Sequence, residues 1–270
     1  MRPICFLSDF GLADDFVGTC KGVILKIAPG ASIVDLTHDV SDFEVAAGAE
    51  MLDHATRYMP DDAVYLAIVD PGVGTKRREL AIRTRSNALL VGPDNGLLIP
   101  ASDSLGGISE AVALTNGDYQ IHPVSNTFHG RDIFAPAAAH LASGVEIQEL
   151  GETVDAGSLI RFSPPIVESS QDGKSLRANI IAIDRFGNAR LSVMQEDSGF
   201  EFGDVLRVDA GDGGMSVRYV DTFGAANPGE LILVPDSHWR LSLSVNKGNA
   251  AQALSLKVGA TVLLSKTQEP

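Results

Sequence analysis

Ala63-Val64-Tyr65-Leu66-Ala67-Ile68-Val69-Asp70-Pro71-Gly72 reads as a buried strand and the turn that ends it. The run 63–69 is apolar at every position. That is the pattern of a strand covered on both faces, as in a parallel sheet flanked by helices. Pro71 and Gly72 break the run. Asp70 therefore stands at the carboxyl end of a strand, where open α/β sheets gather their ligand groups. An aspartate there occupies a site position rather than a packing position.

Outward from this strand, the first half of the chain alternates strand-like and helix-like periods, the pattern of a parallel sheet with covering helices. Residues 4–8 read as a strand. Asp14 or Asp15 is placed to cap a helix whose apolar stripe is Phe16, Cys20, Val23, Ile24 and Ile27, and Pro29-Gly30 ends it. Residues 32–36 form the next strand. Ser41-Asp42-Phe43-Glu44 has the form of a capping box for a helix running to Tyr58. Residues 80–83 and 88–91 read as two more strands, and 132–142 as a helix ending near Gly144.

From about Arg161 the texture changes to Pro-containing connectors, short alternating runs and Gly-rich turns such as Asp209-Ala210-Gly211-Asp212-Gly213-Gly214. Helical periodicity nearly vanishes. The segments 178–183, 204–208, 215–220, 230–234, 241–245 and 261–264 suit a small antiparallel barrel or sandwich. The expected fold class is α/β. An amino-terminal α/β domain with a largely parallel sheet is expected over residues 1–162, and a smaller, β-barrel-like carboxy-terminal domain over residues 166–270. The boundary falls near Ser163-Pro164-Pro165.

The chain has 270 residues, enough for a core in each of two domains, and a net charge of −14 at pH 7. Nucleic-acid backbones and anionic membranes are met by clustered Lys and Arg, so neither is expected as a main partner. A cationic ligand fits the acidic balance loosely. The two cysteines, Cys5 and Cys20, lie in apolar contexts without metal-ligand spacing, and both read as small buried hydrophobes. The start, Met1-Arg2-Pro3-Ile4, enters a strand without a charged leader or a long apolar run, and the expectation is a cytoplasmic protein. His38, Asp39 and Asp42 invite a metal reading. A helix start at Ser41-Asp42 explains them better, and no metal site is expected.

Four motifs carry the candidate chemistry. They are Leu7-Ser8-Asp9-Phe10-Gly11, the run from Asp70 to Arg77, Thr127-Phe128-His129-Gly130-Arg131-Asp132, and Asp184-Arg185-Phe186-Gly187-Asn188. Taken singly, each has an ordinary structural explanation. Asp9 can cap a helix, Asp70 can form a turn before Pro71, Arg77 can be a solvated cation beside Arg78, and Asp184 to Asn188 can be a hairpin turn. Taken jointly and in this order, they resemble the S-adenosyl-L-methionine hydrolase family, also called SAM hydroxide adenosyltransferases. Ser237 to Ala250 agrees with that family in outline.

The resemblance implies a trimer with sites between neighbouring subunits, and a reaction of water with S-adenosylmethionine that yields adenosine and L-methionine, with no cofactor. It assigns ribose binding to Asp9, and water activation to Asp70, Arg77 and His129. Arg77 cannot serve as the base, because a guanidinium stays protonated, but its fork of donors can orient a water. Asp70 and His129 are the groups able to take a proton. Asp184, Phe186 and Asn188 are implied to grip the methionine or nucleoside part, and Asn95, in the Asp94-Asn95-Gly96 turn, is a further candidate for nucleoside contact. The segment with Ser237, Ser242 and Val245 is implied to hold the methionine carboxylate and the adenine. Here the match is looser, since Ser242 stands where the family often has Glu, and Trp239 offers a ring for stacking.

Three other functions compete. The halogenating relatives, fluorinase and chlorinase, carry Tyr at the place of His129 and lack the Arg77 match, and the fluorinase has Ser at the place of Gly130. A halide needs no deprotonation whereas water does, which favours hydrolysis for a chain with both Arg77 and His129. A non-catalytic sensor of S-adenosylmethionine or adenosine would gain nothing from water-activating groups. A phosphate-handling reading of the Gly-rich turn fails for want of the Lys-Ser/Thr of a P-loop.

Overall fold

The structure, a computed structural model, describes residues 1–211 and 213–267. Asp212 of the Gly-rich turn and residues 268–270 lie outside the described residues. The chain divides into two compact units, Met1–Phe162 and Ser163–Pro270.

In the first unit, strands β1 (Ile4–Ser8), β2 (Ile33–Thr37), β3 (Val64–Ile68), β4 (Glu79–Thr84), β5 (Leu89–Pro93), β6 (Ile108–Ala113) and β7 (Glu152–Thr153) form one sheet. Their order is β2-β1-β3-β5-β4-β6-β7. β1 runs parallel to β2 and β3, and β3 to β5. β4, β6 and β7 join antiparallel. Four helices cover the sheet: α1 (Phe16–Ile27), α2 (Val45–Thr56), α3 (Ile99–Ser104) and α4 (Ala135–Ala142).

Side chains that alternate along a strand face opposite ways, and here both ways lead into a core. Ile4, Phe6, Val64, Leu66 and Ile68 join Cys20, Ile24, Ala138 and Leu141 of α1 and α4. Cys5, Leu7, Tyr65, Ala67 and Val69 join Ala49, Leu52 and Ala101 of α2 and α3. Each fully buried Leu or Ile contributes about 2 kcal/mol on removal from water. The sandwich of helices therefore explains why residues 63–69 have no polar position. Cys5 and Cys20 lie in the two opposite cores, unpaired, with burial pushing their thiols up to about 11 and about 12.

Three local expectations change in the structure. The buried stripe of α1 runs through Val17, Cys20, Val23 and Ile24, while Phe16 is exposed by 40% and turns to the aromatic rings Phe10 and Phe128. The capping box does not form. α2 starts at Val45 with no side-chain cap, and Phe43 adopts φ +65° with its N–H donated to Asp9 Oδ2 at 3.2 Å. The helix expected from Asp132 starts earlier, with a wide turn over Gly130–Phe134 in which Ala135 N–H reaches back to Gly130 O.

In the second unit, strands β8 (Val167–Ser169), β9 (Ser175–Ile183), β10 (Ala189–Met194), β11 (Val205–Asp209), β12 (Met215–Tyr219), β13 (Leu231–Pro235), β14 (Arg240–Val245) and β15 (Thr261–Lys266) form the second sheet. Seven of them run in the order β10-β14-β13-β12-β11-β15-β9, and pairing of β9 with β10 closes the barrel. β8 is added alongside β9. All pairs are antiparallel except β12 with β13. On β9 the alternate residues Leu176, Ala178, Ile180 and Ala182 are buried, as the two-residue period of a barrel wall requires. A short helix α5 (Ala250–Ala253) is capped by Asn249, whose side chain accepts from Gln252 N at 2.7 Å. No described helix is long and apolar enough to cross a membrane.

Gly92 shows how closely the central strands approach: a Cβ built there lies 2.2 Å from Ala67 O of β3. Gly92→Ala must push β5 off β3, and is expected to destabilise the protein by about 2–3 kcal/mol, the scale of overpacking a well-filled core. A urea melt checks this. An unshifted midpoint would show that the strands can separate at no cost.

Candidate active site

β1 and β3 are parallel neighbours, so the residues that follow them emerge side by side. Asp9 N–H still donates to Ile68 O at 3.3 Å, which ties the two exits together. The cleft there has a volume of about 350 Å³ and is lined by Asp9, Phe10, Phe16, Asp70, Phe128 and His129 among others. Phe10, Phe16 and Phe128 form a three-ring cluster, with centroids 5.0–6.0 Å apart. Burial pushes the Asp9 carboxyl above its ordinary value, against the opposing pull of the Phe43 N–H bond.

The Asp70 turn folds back on itself through Val73 N to Asp70 O and Thr75 N to Gly72 O bonds, at 3.2 and 3.1 Å. Gly74, at φ +74°, passes so near the next segment that a Cβ would lie 2.3 Å from Asn126 O. Only glycine fits both demands. The turn returns Arg77 beside Asp70. Arg77 Nε donates to Asp70 Oδ1 at 2.9 Å and to Oδ2 at 3.1 Å, and Nη2 donates to Oδ2 as well. Nη1 donates to Glu79 Oε1 at 2.7 Å. Nη2 also lies 3.0 Å from His129 Nδ1. Burial alone pulls Arg77 down, but the carboxylates of Asp70 and Glu79 more than offset it and hold the guanidinium charged. Its plane also lies over the Phe134 ring, 5.3 Å from the centroid.

His129 is fixed by the segment that carries it. The Asp132 carboxylate is buried, accepting from Ser125 N at 2.8 Å and from the Arg131 fork at 2.6 and 2.8 Å. Burial raises that carboxyl, yet the Arg131 and Ser125 bonds prevail and hold it below the ordinary aspartate value. Asp70 and His129 thus line one cleft with Asp9, and Arg77 is bonded to Asp70 and lies 3.0 Å from His129. Arg78 lies apart. Its Nε donates to Asp94 Oδ2 at 2.7 Å, and its other nitrogens to Ser158 Oγ and Ser158 O at 2.9 and 2.8 Å. Asn95 has both ends of its amide engaged, with Nδ2 donating to Val69 O at 2.8 Å and Oδ1 accepting from Leu97 N at 3.2 Å. It supports the end of β3 from behind.

Glu79 was not anticipated. It touches both Arg77 and His129, the latter through Oε1 to Nδ1 at 3.0 Å. The signal was present in the extended run Arg77-Arg78-Glu79, because alternation along a strand puts the first and third side chains on one side and the second on the other. The same rule separates Arg77 from Arg78.

In the second unit, one cleft of about 550 Å³ is lined by Asp184, Phe186, Asn188, Ser237, Ser242 and Val245 among others. Asp184 closes the β9–β10 turn, its carboxylate accepting from Phe186 N and Asn188 N at 2.9 Å and from Asn188 Nδ2 at 2.8 Å. Gly187, at φ +83°, lies against Asn249, where a Cβ would come within 2.1 Å. Phe186 is largely exposed, with the Arg185 guanidinium over its ring at 4.7 Å. Asp236 pairs with Arg190 and accepts from His238 N and Arg240 N, which fixes the turn that carries Ser237. Ser242 and Ser244 are buried, their hydroxyls 3.3 Å apart. Trp239 lines a different cleft, with Phe200, Phe202 and Tyr219.

An α/β unit with charged groups gathered at parallel strand ends, followed by a closed barrel with a polar cleft of its own, defines a two-domain protein of ligand-binding type. Residues 4–151 match the SAM hydroxide adenosyltransferase N-terminal domain, and residues 178–263 match the corresponding C-terminal domain. The chain belongs to the SAM hydroxide adenosyltransferase family. It is 43% identical over 256 residues, 95% of each chain, to an (R)-S-adenosyl-L-methionine hydrolase of Salinispora tropica. A fluorinase of Actinoplanes is more distant, at 30% identity over 97% of each chain. The crystal structure of an uncharacterized conserved protein from Thermotoga maritima matches with a TM-score of 0.89 and 34% identity, over 97% of this chain and 100% of that one.

The Arg78–Asp94 pair makes a separate prediction. Asp94 is buried while Arg78 is 35% exposed, so Arg78→Ala strands a carboxylate that only Ile160 N still serves, at 3.0 Å. Full burial of such a pair would make the loss about 3–5 kcal/mol, and the exposed guanidinium reduces it to about 2 kcal/mol. The urea midpoint of Arg78→Ala should fall accordingly. No fall would mean that the Ile160 bond alone satisfies Asp94.

Proposed function

We propose that the protein hydrolyses S-adenosyl-L-methionine to adenosine and L-methionine by attack of water on ribose C5′. The observation that carries this reading is the Arg77 guanidinium held by two carboxylates with His129 against it, beside the cleft that Asp9, Asp70 and His129 line. The sulfonium leaves as a neutral thioether, so the leaving group needs no acid. The attacking water must lose a proton. Both oxygens of Asp70 accept from Arg77, which leaves the His129 ring as the better-placed proton acceptor, with Arg77 orienting the water.

In the same proposal Asp9 accepts from the ribose diol, and Asn95 acts by holding the strand end beneath Asp70. Asp184, Phe186 and Asn188, with Ser237, Ser242 and Val245, take the methionine and adenine parts. Residues 1–162 thus carry the water-activating groups and 166–270 the grip on the rest of the substrate. We assign the assembly as a homotrimer in which a neighbouring copy completes each site. The Salinispora relative is named for the (R) configuration at sulfur, and we extend that preference to this chain. No cofactor enters the scheme, and two unpaired buried cysteines suit a cytoplasmic protein. A halide would need no proton acceptor, which argues against the halogenase reading.

The test is incubation with each sulfur epimer in ¹⁸O-enriched water containing chloride, read by mass spectrometry. Label in the 5′-hydroxyl of adenosine, with unlabelled methionine, is expected. Arg77→Ala should lower kcat by about 100-fold with little change in KM, the scale of losing one preorganised electrostatic group. A 5′-chloro product or no turnover with either epimer would overturn the reading.

Asp9 makes a pH prediction. Its folded-state pKa is raised, so the ionised form that accepts from ribose is present above that raised value and lost as pH falls through it. Adenosine affinity, followed by calorimetry, should therefore begin to fall at a higher pH than an ordinary aspartate would give, and Asp9→Asn should remove the dependence. A pH profile set by an unshifted carboxyl would separate Asp9 from ribose binding.

A further inference from the structure

We infer that Glu79 is a positioning residue for the proton transfer: it holds His129 in the tautomer with hydrogen on Nδ1, so that Nε2 is the nitrogen left to take the proton of water. The inference rests on the hydrolase reading of this cleft. Three side chains form a tight triangle. Glu79 Oε1 is 2.7 Å from Arg77 Nη1 and 3.0 Å from His129 Nδ1, and Nδ1 is 3.0 Å from Arg77 Nη2. A guanidinium only donates and a carboxylate only accepts. Nδ1 therefore satisfies one neighbour at a time. Bare, it accepts from Arg77, and Nε2 then carries hydrogen and cannot take another proton. Protonated, it donates to Glu79, and Nε2 is an open acceptor.

Charge decides between the two. Arg77 Nη2 already has Asp70 Oδ2 as a partner, so it does not depend on Nδ1. Without a hydrogen on Nδ1, an electron-rich nitrogen would lie 3.0 Å from the Glu79 carboxylate oxygen. The side chains of His129 and Glu79 are exposed by 10% and 22%, so water screens this contact only in part. In the reaction, the water O–H bond breaks and its proton goes to Nε2 as the oxygen bonds to C5′. The C5′–S bond breaks with its electron pair passing to sulfur, which leaves a neutral thioether. The imidazolium formed keeps Nδ1–H on the Glu79 carboxylate and afterwards returns the Nε2 proton to solvent. Glu79 thus opposes the positive charge at the moment it forms, the logic of a carboxylate behind a catalytic histidine.

The test combines ring-¹⁵N histidine NMR of the ligand-free protein in mildly alkaline buffer with kinetics of Glu79→Gln and Glu79→Leu. The chain has six histidines, and His129→Asn identifies the signal. Wild type should show hydrogen on Nδ1 and a bare Nε2. Glu79→Gln keeps an oxygen acceptor without the charge, and should keep the tautomer while losing about 10-fold in kcat. Glu79→Leu should reverse the tautomer, with Nδ1 accepting from Arg77, and lose about 100-fold or more in kcat with KM changed less than about 3-fold. A bare Nδ1 in wild type, or a Leu variant that retains its tautomer and kcat, overturns the role of Glu79. If wild type and Leu variant differ in tautomer as expected but neither releases adenosine from either epimer, the hydrolase reading fails and the tautomer assignment stands.

Discussion

A buried guanidinium has to be matched on every edge, and the arrangement around Arg77 meets that demand in a small volume. One edge faces Asp70, another Glu79, and the flat face lies on Phe134. Glu79 is near it in the chain, while Asp70 and Phe134 come to it through the fold. Asp70 is delivered by the end of β3, Glu79 by the start of β4, and Phe134 by the turn that leads into α4. Two carboxylates against one guanidinium leave the cluster one charge short of neutral. An imidazole next to it that can become a cation therefore completes the balance. The chemistry of the cleft and the need to neutralise buried charge are one requirement.

Much of this was readable in the residues, for identifiable reasons. β1 and β3 declared themselves because both faces are buried, and no polar position interrupts them. Asp9 and Asp70 came together because they follow parallel neighbouring strands, which a βα alternation predicts. Phe16 was misassigned because hydrophobic periodicity counts a ring as core, whereas here the ring is recruited by Phe10 and Phe128 at the rim of the cleft. The Ser41–Glu44 box gives way to a bend at Phe43, whose N–H donates to the Asp9 carboxylate while Glu44 N–H donates to Ser41 O. Both departures lie at the cleft, where local preference yields to the site. α3 and β6 escaped notice because they are short, and β10 because its alternation is brief. Glu79 escaped because a charged residue at a strand start has no motif around it, although its spacing from Arg77 was visible.

The two units solve the problem of building a cleft differently. In the first, parallel strands end together and the sheet itself supplies a crevice. In the second, the barrel is filled by Leu191, Leu206, Leu233 and Leu243 among others, so polar groups collect at turns and at strand ends. Asp184 and Asp236 have the same task there, each closing a turn by accepting backbone N–H groups. That work rigidifies the turns and leaves Asn188, Ser237 and the exposed ring of Phe186 on the surface of the cleft.

Pairing of β9 with β10 has a consequence for how this chain can vary. Closure leaves a free edge along the short β8, so among the described residues the wall offers little for another chain to extend and little that can shift register. Variation in recognition is therefore confined to the connections. One of the most important, the β9–β10 turn, is itself locked, because Gly187 packs on Asn249 and its carbonyl accepts from Ala251 N at 2.9 Å. The side chains at 185 and 186 can be exchanged around that anchored backbone, whereas Asn188 donates to Asp184 and a Cβ at 187 would meet the Asn249 side chain that caps α5. The barrel behaves as an interchangeable holder whose grip is retuned by two neighbouring side chains, with the fold of the whole unit left alone.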